Sequence, residues 1–86
     1  MDEKDTELEV AFRRRLYVLR RESGLSQVQL AQRIGRGQEH VSRYETGGVH
    51  LRLVDSVRIV EALDADPSSV VAGVLADAET RDGGVR

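Results

Sequence analysis

Side chains that could form hydrogen bonds to nucleobases are concentrated between Ser26 and Gly47. The second half of this stretch carries glutamine, arginine and glutamate, which can pair with adenine, guanine and cytosine in the major groove of DNA. The stretch consists of two short segments of helical periodicity separated by Gly35, and two helices joined by such a turn form a helix-turn-helix. This arrangement predicts a DNA-binding protein.

Other kinds of chemistry have little support in the sequence. The chain contains no cysteine and two histidines, His40 and His50, which lie on either side of a turn without a carboxylate cluster nearby. A disulfide, a thiolate zinc site and a cysteine nucleophile are therefore excluded, and no nucleophile with its base is visible. We expect a protein that is not an enzyme and that uses no metal or other cofactor.

The length of 86 residues fits one small domain, which would gain stability from a partner. No apolar run approaches the ~20 residues needed to cross a bilayer, and the N-terminal residues are acidic where a secretory signal would be basic. We therefore expect a cytoplasmic protein without a membrane partner. We divide it into an acidic N-terminal arm (1–7), a helix-turn-helix domain that includes a C-terminal helix for dimerisation (8–78) and a flexible tail (79–86).

The charge distribution favours a nucleic-acid partner even though the net charge of the chain is −2. Residues 13–58 contain ten arginines and four acidic residues, whereas residues 1–12 and 59–86 each carry a net charge of −4. Guanidinium groups bind phosphate and guanine through paired hydrogen bonds, so this cluster is typical of a protein that binds duplex DNA. The alternative is an ordinary solvated helix surface.

Apolar residues repeat at helical spacing throughout the chain, and no sustained alternation indicates a strand. We therefore predict an all-α fold in which capping-box patterns at Thr6 and Ser26 precede the first two helices and Pro67 opens the last. The expected helices span residues 7–22, 27–34, 38–46, 53–63 and 67–78. The inward faces of the first four helices would share one core, which consists of Phe12, Leu16, Leu19, Leu30, Ile34, Val41, Tyr44, Leu53, Val57, Val60 and Leu63.

A family resemblance rests on short groups of residues at fixed spacing: Leu19-Arg20, Gly24-Leu25-Ser26-Gln27, Leu30-Ala31, Ile34-Gly35, Val41-Ser42-Arg43, Glu45-Thr46-Gly47 and Ala62-Leu63. Through them the chain resembles the phage-repressor-like helix-turn-helix regulators, also called Xre-type or lambda-repressor-like, without a gap from about Leu16 to Leu63. The resemblance implies a five-helix lambda-repressor-like DNA-binding domain with the helix-turn-helix at helices 2 and 3. The chain departs from the family at Arg36, Gly37 and Leu51-Arg52, so we expect a looser entry into helix 3.

The resemblance also implies which side chains contact DNA. The start of helix 3 would lie in the major groove, and its base-reading residues would be Gln38, Glu39, Ser42 and Arg43. The N-terminus of helix 2 would abut the phosphate backbone, whose predicted contacts are Ser26, Gln27, Arg36, Arg20 and Arg52. Each of these side chains could instead merely solvate an exposed surface.

The resemblance assigns a structural role to Arg20 and Glu45. It implies that they form a partly buried ion pair, which ties helix 1 to the end of helix 3. Arg20 would also be able to share a phosphate. We assign Glu45 to the architecture of the domain.

Dimerisation is expected because one recognition helix reads few base pairs. Family members bind as two-fold dimers to inverted half-sites about 34 Å apart. The candidate interface is an apolar face of helix 5, formed by Val70, Val71, Val74 and Leu75. The alternative is that these residues complete the core of the monomer.

The sequence therefore predicts a sequence-specific regulator of transcription that binds double-stranded DNA. A repressor that binds an inverted-repeat operator as a homodimer is the favoured form. The alternative is a protein-interaction module, such as an antitoxin, that uses the helix-turn-helix as a scaffold and also binds its own promoter. A toxin or RNA polymerase would then be the protein partner, and a weak dependence of affinity on salt would reveal it.

Overall fold

A computed structural model describes residues 3–83 of the chain and the side chains of residues 6–79. The described residues form five helices and no strand, which confirms the predicted all-α fold. The helices are α1 (Glu3–Glu22), α2 (Gln27–Ile34), α3 (Gln38–Thr46), α4 (Leu53–Ala62) and α5 (Pro67–Gly83). The predicted helix-turn-helix corresponds to α2 and α3.

The local sequence determines where α2 and α3 begin and end. The Ser26 hydroxyl accepts a hydrogen bond from the Gln29 backbone N–H at 3.1 Å, and the Gln29 side chain accepts one from the Ser26 N–H at 2.8 Å. Gly35 ends α2 with φ 71° and Gly47 ends α3 with φ 97°, a left-handed conformation that glycine adopts without a steric penalty. No side chain caps α3, because its N-cap residue is Gly37.

The first and last helices are longer than predicted. Helix α1 begins at Glu3, so the capping-box pattern at Thr6 lies inside the helix rather than before it. Residues 3–5 contain no helix breaker, and acidic residues near a helix N-terminus stabilise it through the helix dipole. Helix α5 continues to Gly83, past the predicted end at Ala78. Residues 84–86 of the predicted flexible tail lie outside the described residues, and the division into arm, domain and tail stays a prediction.

The largest fully buried side chains of the core are those of Tyr44, Leu30, Ile59 and Val41. Most of the predicted core is buried: Leu16, Leu30, Ile34, Val41, Tyr44, Val60 and Leu63. Phe12 and Leu19 pack against this cluster while remaining partly exposed. The prediction was wrong for Leu53 and Val57, which are 80% and 48% exposed.

A buried carboxylate explains why Leu53 and Val57 face outward. Asp55 and Ile59 are buried on the inner side of α4. Positions two residues before and after Asp55 lie about 200° around the helix from it, on the outer side. Asp55 occupies the inner side because its carboxylate is paired with Arg36 in the turn between α2 and α3.

Helix α5 packs along α1 and buries Val70, Val74 and Ala78, which are spaced four residues apart. Val70 and Val74 therefore belong to the core of the monomer, and their assignment to a dimer interface was wrong. Val71 and Leu75 lie outside this buried row and are exposed. Only these two members of the predicted interface are available to another molecule.

Candidate nucleic-acid interface

The outer side of α3 carries the four side chains predicted to read bases. Val41 and Tyr44 face the interior and are buried, and α3 packs on α2. The opposite side presents three exposed residues and one half-buried residue: Gln38, Glu39 and Arg43, with Ser42 half-buried. Positions 38, 39, 42 and 43 share one face of a helix. An amide, a carboxylate, a hydroxyl and a guanidinium group are thus displayed on a single surface.

Two of these side chains contact each other. Arg43 Nη2 lies 3.7 Å from Glu39 Oε2, one helical turn away, and both side chains are mostly exposed. Exposed pairs of this kind contribute only about 0–1 kcal/mol, so each partner can leave the other for a base edge at small cost. The pair also neutralises Glu39, whose carboxylate would otherwise be repelled by phosphates.

A chain of hydrogen bonds connects this surface to the interior. Gln38 Nε2 donates to Gln27 Oε1 at 2.7 Å, and Gln27 Nε2 donates to Glu45 Oε1 at 2.8 Å. Glu45 in turn accepts from Arg20 Nε at 2.6 Å and from Arg20 Nη2 at 3.1 Å. The first residue of α3 is therefore held by the first residue of α2. The sequence placed Gln27 and Gln38 in separate roles, because a contact between two helices leaves no pattern along the chain.

Arg20 and Glu45 are the buried end of this chain. Their side chains are 7% and 8% exposed, and Arg20 Nη1 also donates to the Leu25 carbonyl oxygen at 2.8 Å. All three nitrogens of the guanidinium group thus have protein partners, which leaves little room for a phosphate. The assignment of Arg20 to the DNA backbone is corrected on this ground, and we assign both residues to the architecture of the domain.

The N-terminus of α2 lies next to Gln38 and has the properties of an anion site. Ser26 is exposed, Gln27 is half-buried, and the first turn of α2 contains no acidic residue. The free N–H groups and the positive end of the helix dipole favour a phosphate here. The structure therefore brings two predicted backbone contacts, Ser26 and Gln27, beside a predicted base-reading residue.

Arg52 lies at the other end of the loop that follows α3. Its side chain is exposed, and its backbone is the N-cap of α4. The Tyr44 hydroxyl donates to the Arg52 carbonyl oxygen at 2.8 Å and accepts from the Arg52 N–H at 3.0 Å. The core thus fixes the position from which the Arg52 side chain projects.

Arg36 takes part in a cluster that sequence reasoning missed. Arg36 Nη2 donates to Asp55 Oδ1 at 3.2 Å, and His40 Nε2 lies 3.4 Å from Asp55 Oδ2. The cluster joins the turn, the first part of α3 and the first turn of α4. The only sequence signal for it was Arg36 itself, at which the chain departs from the family pattern.

Several arginines in the basic region have structural partners instead. Arg13 is buried and donates to the carbonyl oxygens of Tyr44 and Val49, both at 2.7 Å. Arg15 pairs with Asp77 of α5 at 3.0 Å. Some of the ten arginines in residues 13–58 are therefore used within the fold, and fewer than ten are available to the polar surface of α3 and α2.

Two further properties concern the described part of the chain. No group of three or more histidine, aspartate or glutamate side chains in it could hold a metal ion. None of its helices combines the length and the apolar character needed to cross a membrane.

Comparison with known proteins identifies the family. A model described as a helix-turn-helix domain matches residues 11–72, which is more than half of the chain. No curated protein and no solved structure matches the chain. The family match contains α2, α3 and α4 entirely, together with the polar surface of α3 and the start of α2. The chain therefore belongs to the helix-turn-helix domain family, which makes it a DNA-binding protein.

Proposed function

We propose that the protein is a sequence-specific transcriptional repressor of the Xre type that binds an inverted repeat in double-stranded DNA as a homodimer. The observation that carries this proposal is the polar outer face of α3 beside the acid-free N-terminus of α2. One surface offers groups that can distinguish bases, and the adjoining surface offers groups that bind phosphate irrespective of sequence.

Base reading is assigned to Gln38, Glu39, Ser42 and Arg43. Glutamine can form paired hydrogen bonds with adenine, arginine with guanine, and glutamate can accept from the cytosine amino group. The bond from Gln38 to Gln27 supports this role because it holds the amide in one orientation before DNA arrives. The neutralised Glu39–Arg43 pair supports it as well, because neither charge must be desolvated alone.

Backbone contacts are assigned to the N-terminus of α2, with Ser26 and Gln27, and to the Arg52 side chain. The α2 contact uses N–H groups and the helix dipole, whereas Arg52 supplies an exposed positive charge. The Ser26 hydroxyl already accepts the capping hydrogen bond and keeps its own O–H for a phosphate oxygen. These contacts position α3 without contributing to sequence preference.

The homodimer is assigned to an exposed apolar surface on α4 and α5, formed by Leu53, Val57, Val71 and Leu75. The first three of these residues line a groove of about 290 Å³ whose floor includes Phe12 of α1. Exposed apolar patches that adjoin a groove are typical of interaction sites.

The location of this surface suits a second copy. The first turn of α4 lies beside the first part of α3, since Asp55 Oδ2 is 3.4 Å from His40 Nε2. For such a dimer to bind DNA, its two-fold axis must place α3 of both copies on the same side of the assembly. Binding to inverted half-sites about 34 Å apart requires such an arrangement.

Selection of bound fragments from random duplex DNA tests the proposal. We expect enrichment of one inverted repeat by the wild type. In the Arg43→Ala variant, one or two positions of each half-site should lose their preference, at a cost of about 1–3 kcal/mol. Arg21→Ala removes an exposed arginine from α1 and is the charge-matched control, which should enrich the same repeat as the wild type. Failure of the wild type to enrich any sequence would refute the proposal.

The apolar groove also supports the second candidate, a protein-interaction module such as an antitoxin. In that case a toxin or another protein partner would occupy the α4–α5 surface. The dependence of binding on salt distinguishes the two functions. Affinity for DNA must fall steeply between about 50 and 200 mM salt, whereas an apolar protein contact should change little.

A further inference from the structure

Asp55 is a buried carboxylate at the edge of the proposed DNA-binding surface. Its side chain is 4% exposed and lies on the inner side of α4. Arg36, which is 44% exposed, reaches it from the turn between α2 and α3. One negative group in the interior is thus joined to one positive group at the surface.

We propose that Asp55 withholds Arg36 from the DNA backbone, through the hydrogen bond between Arg36 Nη2 and Asp55 Oδ1, and thereby lowers non-specific affinity for DNA. This inference rests on the proposed function. It changes the role of Arg36, which the sequence assigned to a phosphate. Asp55 acts through Arg36 and is a positioning residue.

The difference in burial explains why Arg36 stays with Asp55. A buried carboxylate that loses its partner keeps its charge in a poorly solvated place, which is strongly unfavourable. Arg36, by contrast, is 44% exposed, so water can solvate its charge without a phosphate and it gains comparatively little from leaving Asp55. The pair at 3.2 Å is therefore favoured over a contact between Arg36 and DNA.

His40 does not replace Arg36 as the partner of Asp55. Its Nε2 is 3.4 Å from Asp55 Oδ2 and is buried, but it forms no hydrogen bond with any described residue. Arg36, which donates a hydrogen bond to Oδ1, is thus the partner that compensates the charge of Asp55.

Neutralisation of Arg36 lowers the affinity for any duplex, because a phosphate contact carries no sequence information. Non-specific binding is almost entirely electrostatic, and each phosphate contact steepens its dependence on salt. An arginine held by an internal carboxylate therefore makes no contribution to the binding of random DNA. It leaves the ratio of specific to non-specific affinity unchanged, because a phosphate contact would add equally to both.

The experiment measures binding of the full chain to a random-sequence duplex and to the selected operator at several salt concentrations. For Asp55→Asn, the slope of log affinity against log salt should steepen by about 0.9, which adds about a 3.5-fold loss of affinity between 50 and 200 mM salt. Affinity for random and operator DNA should rise by the same factor at low salt, so that their ratio stays unchanged. Arg36→Gln, which keeps a hydrogen-bond donor for Asp55, should leave the slope unchanged in the wild-type background and should abolish the increase in Asp55→Asn.

Asp77→Asn is the matched control, because Asp77 holds an arginine on the α1–α5 side of the molecule, away from α3. It should leave the slope and the ratio unchanged. If Arg36→Gln alone made the slope shallower by about 0.9, Arg36 would already contact a phosphate in the wild type, and the inference would be overturned. An unchanged slope in a folded Asp55→Asn would also overturn it. If Asp55→Asn does not fold by circular dichroism, the Arg36→Gln slope decides alone.

The binding measurements differ according to whether this inference alone is wrong or the proposed function is wrong as well. A wild-type protein that binds duplex DNA with steep salt dependence retains the function even when the Asp55 variant behaves like the wild type. A wild-type protein without affinity for any duplex would overturn both.

Discussion

Gln38 donates a hydrogen bond of 2.7 Å to Gln27, and this bond joins the first residue of α3 to the first residue of α2. One residue is assigned to base reading and the other to the phosphate backbone. The bond therefore couples two functions that are usually separate, since a change in the backbone contact alters the orientation of the base-reading amide.

This coupling leads to a prediction for the two glutamines. Gln38→Ala should reduce discrimination at one or two base pairs by about 1–3 kcal/mol. Gln27→Ala should weaken binding to all sequences and should also remove part of the discrimination that Gln38 provides. Affinities of both single variants and the double variant, on the operator and on an operator changed at the affected base pair, measure the coupling. Gln32→Ala, an exposed glutamine of α2, is the control. Strict additivity of the two effects would contradict the coupling.

The ion pair of Arg20 and Glu45 predicts a large effect on stability. Glu45→Ala leaves the guanidinium group of Arg20, 7% exposed, without its carboxylate. Removal of one partner of a buried pair costs about 3–5 kcal/mol, and each kcal/mol lowers the melting temperature of a domain of this size by about 4–8 °C. Thermal unfolding followed by circular dichroism measures the effect.

Glu39→Ala is the control for this stability measurement, because Glu39 pairs with Arg43 on the surface. Its cost should stay within about 1 kcal/mol. If Glu45→Ala left the melting temperature unchanged and abolished specific binding, Glu45 would belong to the DNA contacts rather than to the architecture.

The proposed dimer surface predicts opposite outcomes for neighbouring residues of α5. Val71→Asp with Leu75→Asp should give a folded monomer with weak affinity for the inverted repeat, because both residues are exposed in the monomer. The change in folding free energy should be about 0.5 kcal/mol or less, as for other surface substitutions. Val74→Asp should instead unfold the protein, because it introduces a charge at a buried position. Sedimentation and circular dichroism distinguish the two. A dimer that persists in the double variant would place the interface elsewhere.

The sequence was sufficient for those elements whose signals are local. The capping box at Ser26 and the left-handed glycines at Gly35 and Gly47 act within one helical turn, and they placed α2 and α3 correctly. The same kind of reasoning failed at Leu53 and Val57. The orientation of α4 depends on Asp55, whose burial depends on Arg36, 19 residues earlier in the chain. Apolar periodicity alone cannot reveal a helix whose inner side includes a carboxylate.

In the candidate site, too, local features were predictable and contacts between distant residues were not. The predicted base-reading residues share one face because helical spacing is regular, and the structure places them on the outer side of α3. The bonds that orient them were not predictable. Gln27 and Gln38 meet only after α2 and α3 have packed, and residue types at separate positions do not indicate which side chains will touch. The resemblance implied the ion pair of Arg20 and Glu45, but not that packing would give every guanidinium nitrogen of Arg20 a protein partner.

The hydrogen bonds of the Tyr44 hydroxyl predict that the loop after α3 depends on this group for its position. The hydroxyl donates to the Arg52 carbonyl oxygen and accepts from the Arg52 N–H, and it lies 2.9 Å from Ser56 Oγ. Tyr44→Phe removes all three contacts while it keeps the ring that fills the core. The partly buried Arg52 N–H then loses its partner, whereas the Arg52 carbonyl oxygen still accepts from Ser56, so stability should fall by about 1–3 kcal/mol.

Tyr17→Phe is the matched control, because it removes a hydroxyl from an exposed tyrosine of α1 and should leave stability unchanged. Chemical denaturation of the two variants measures the difference. Because Arg52 is assigned to the DNA backbone, Tyr44→Phe should also weaken binding to operator and random DNA by the same factor. A loss confined to the operator would instead mean that the loop after α3 helps to read the sequence.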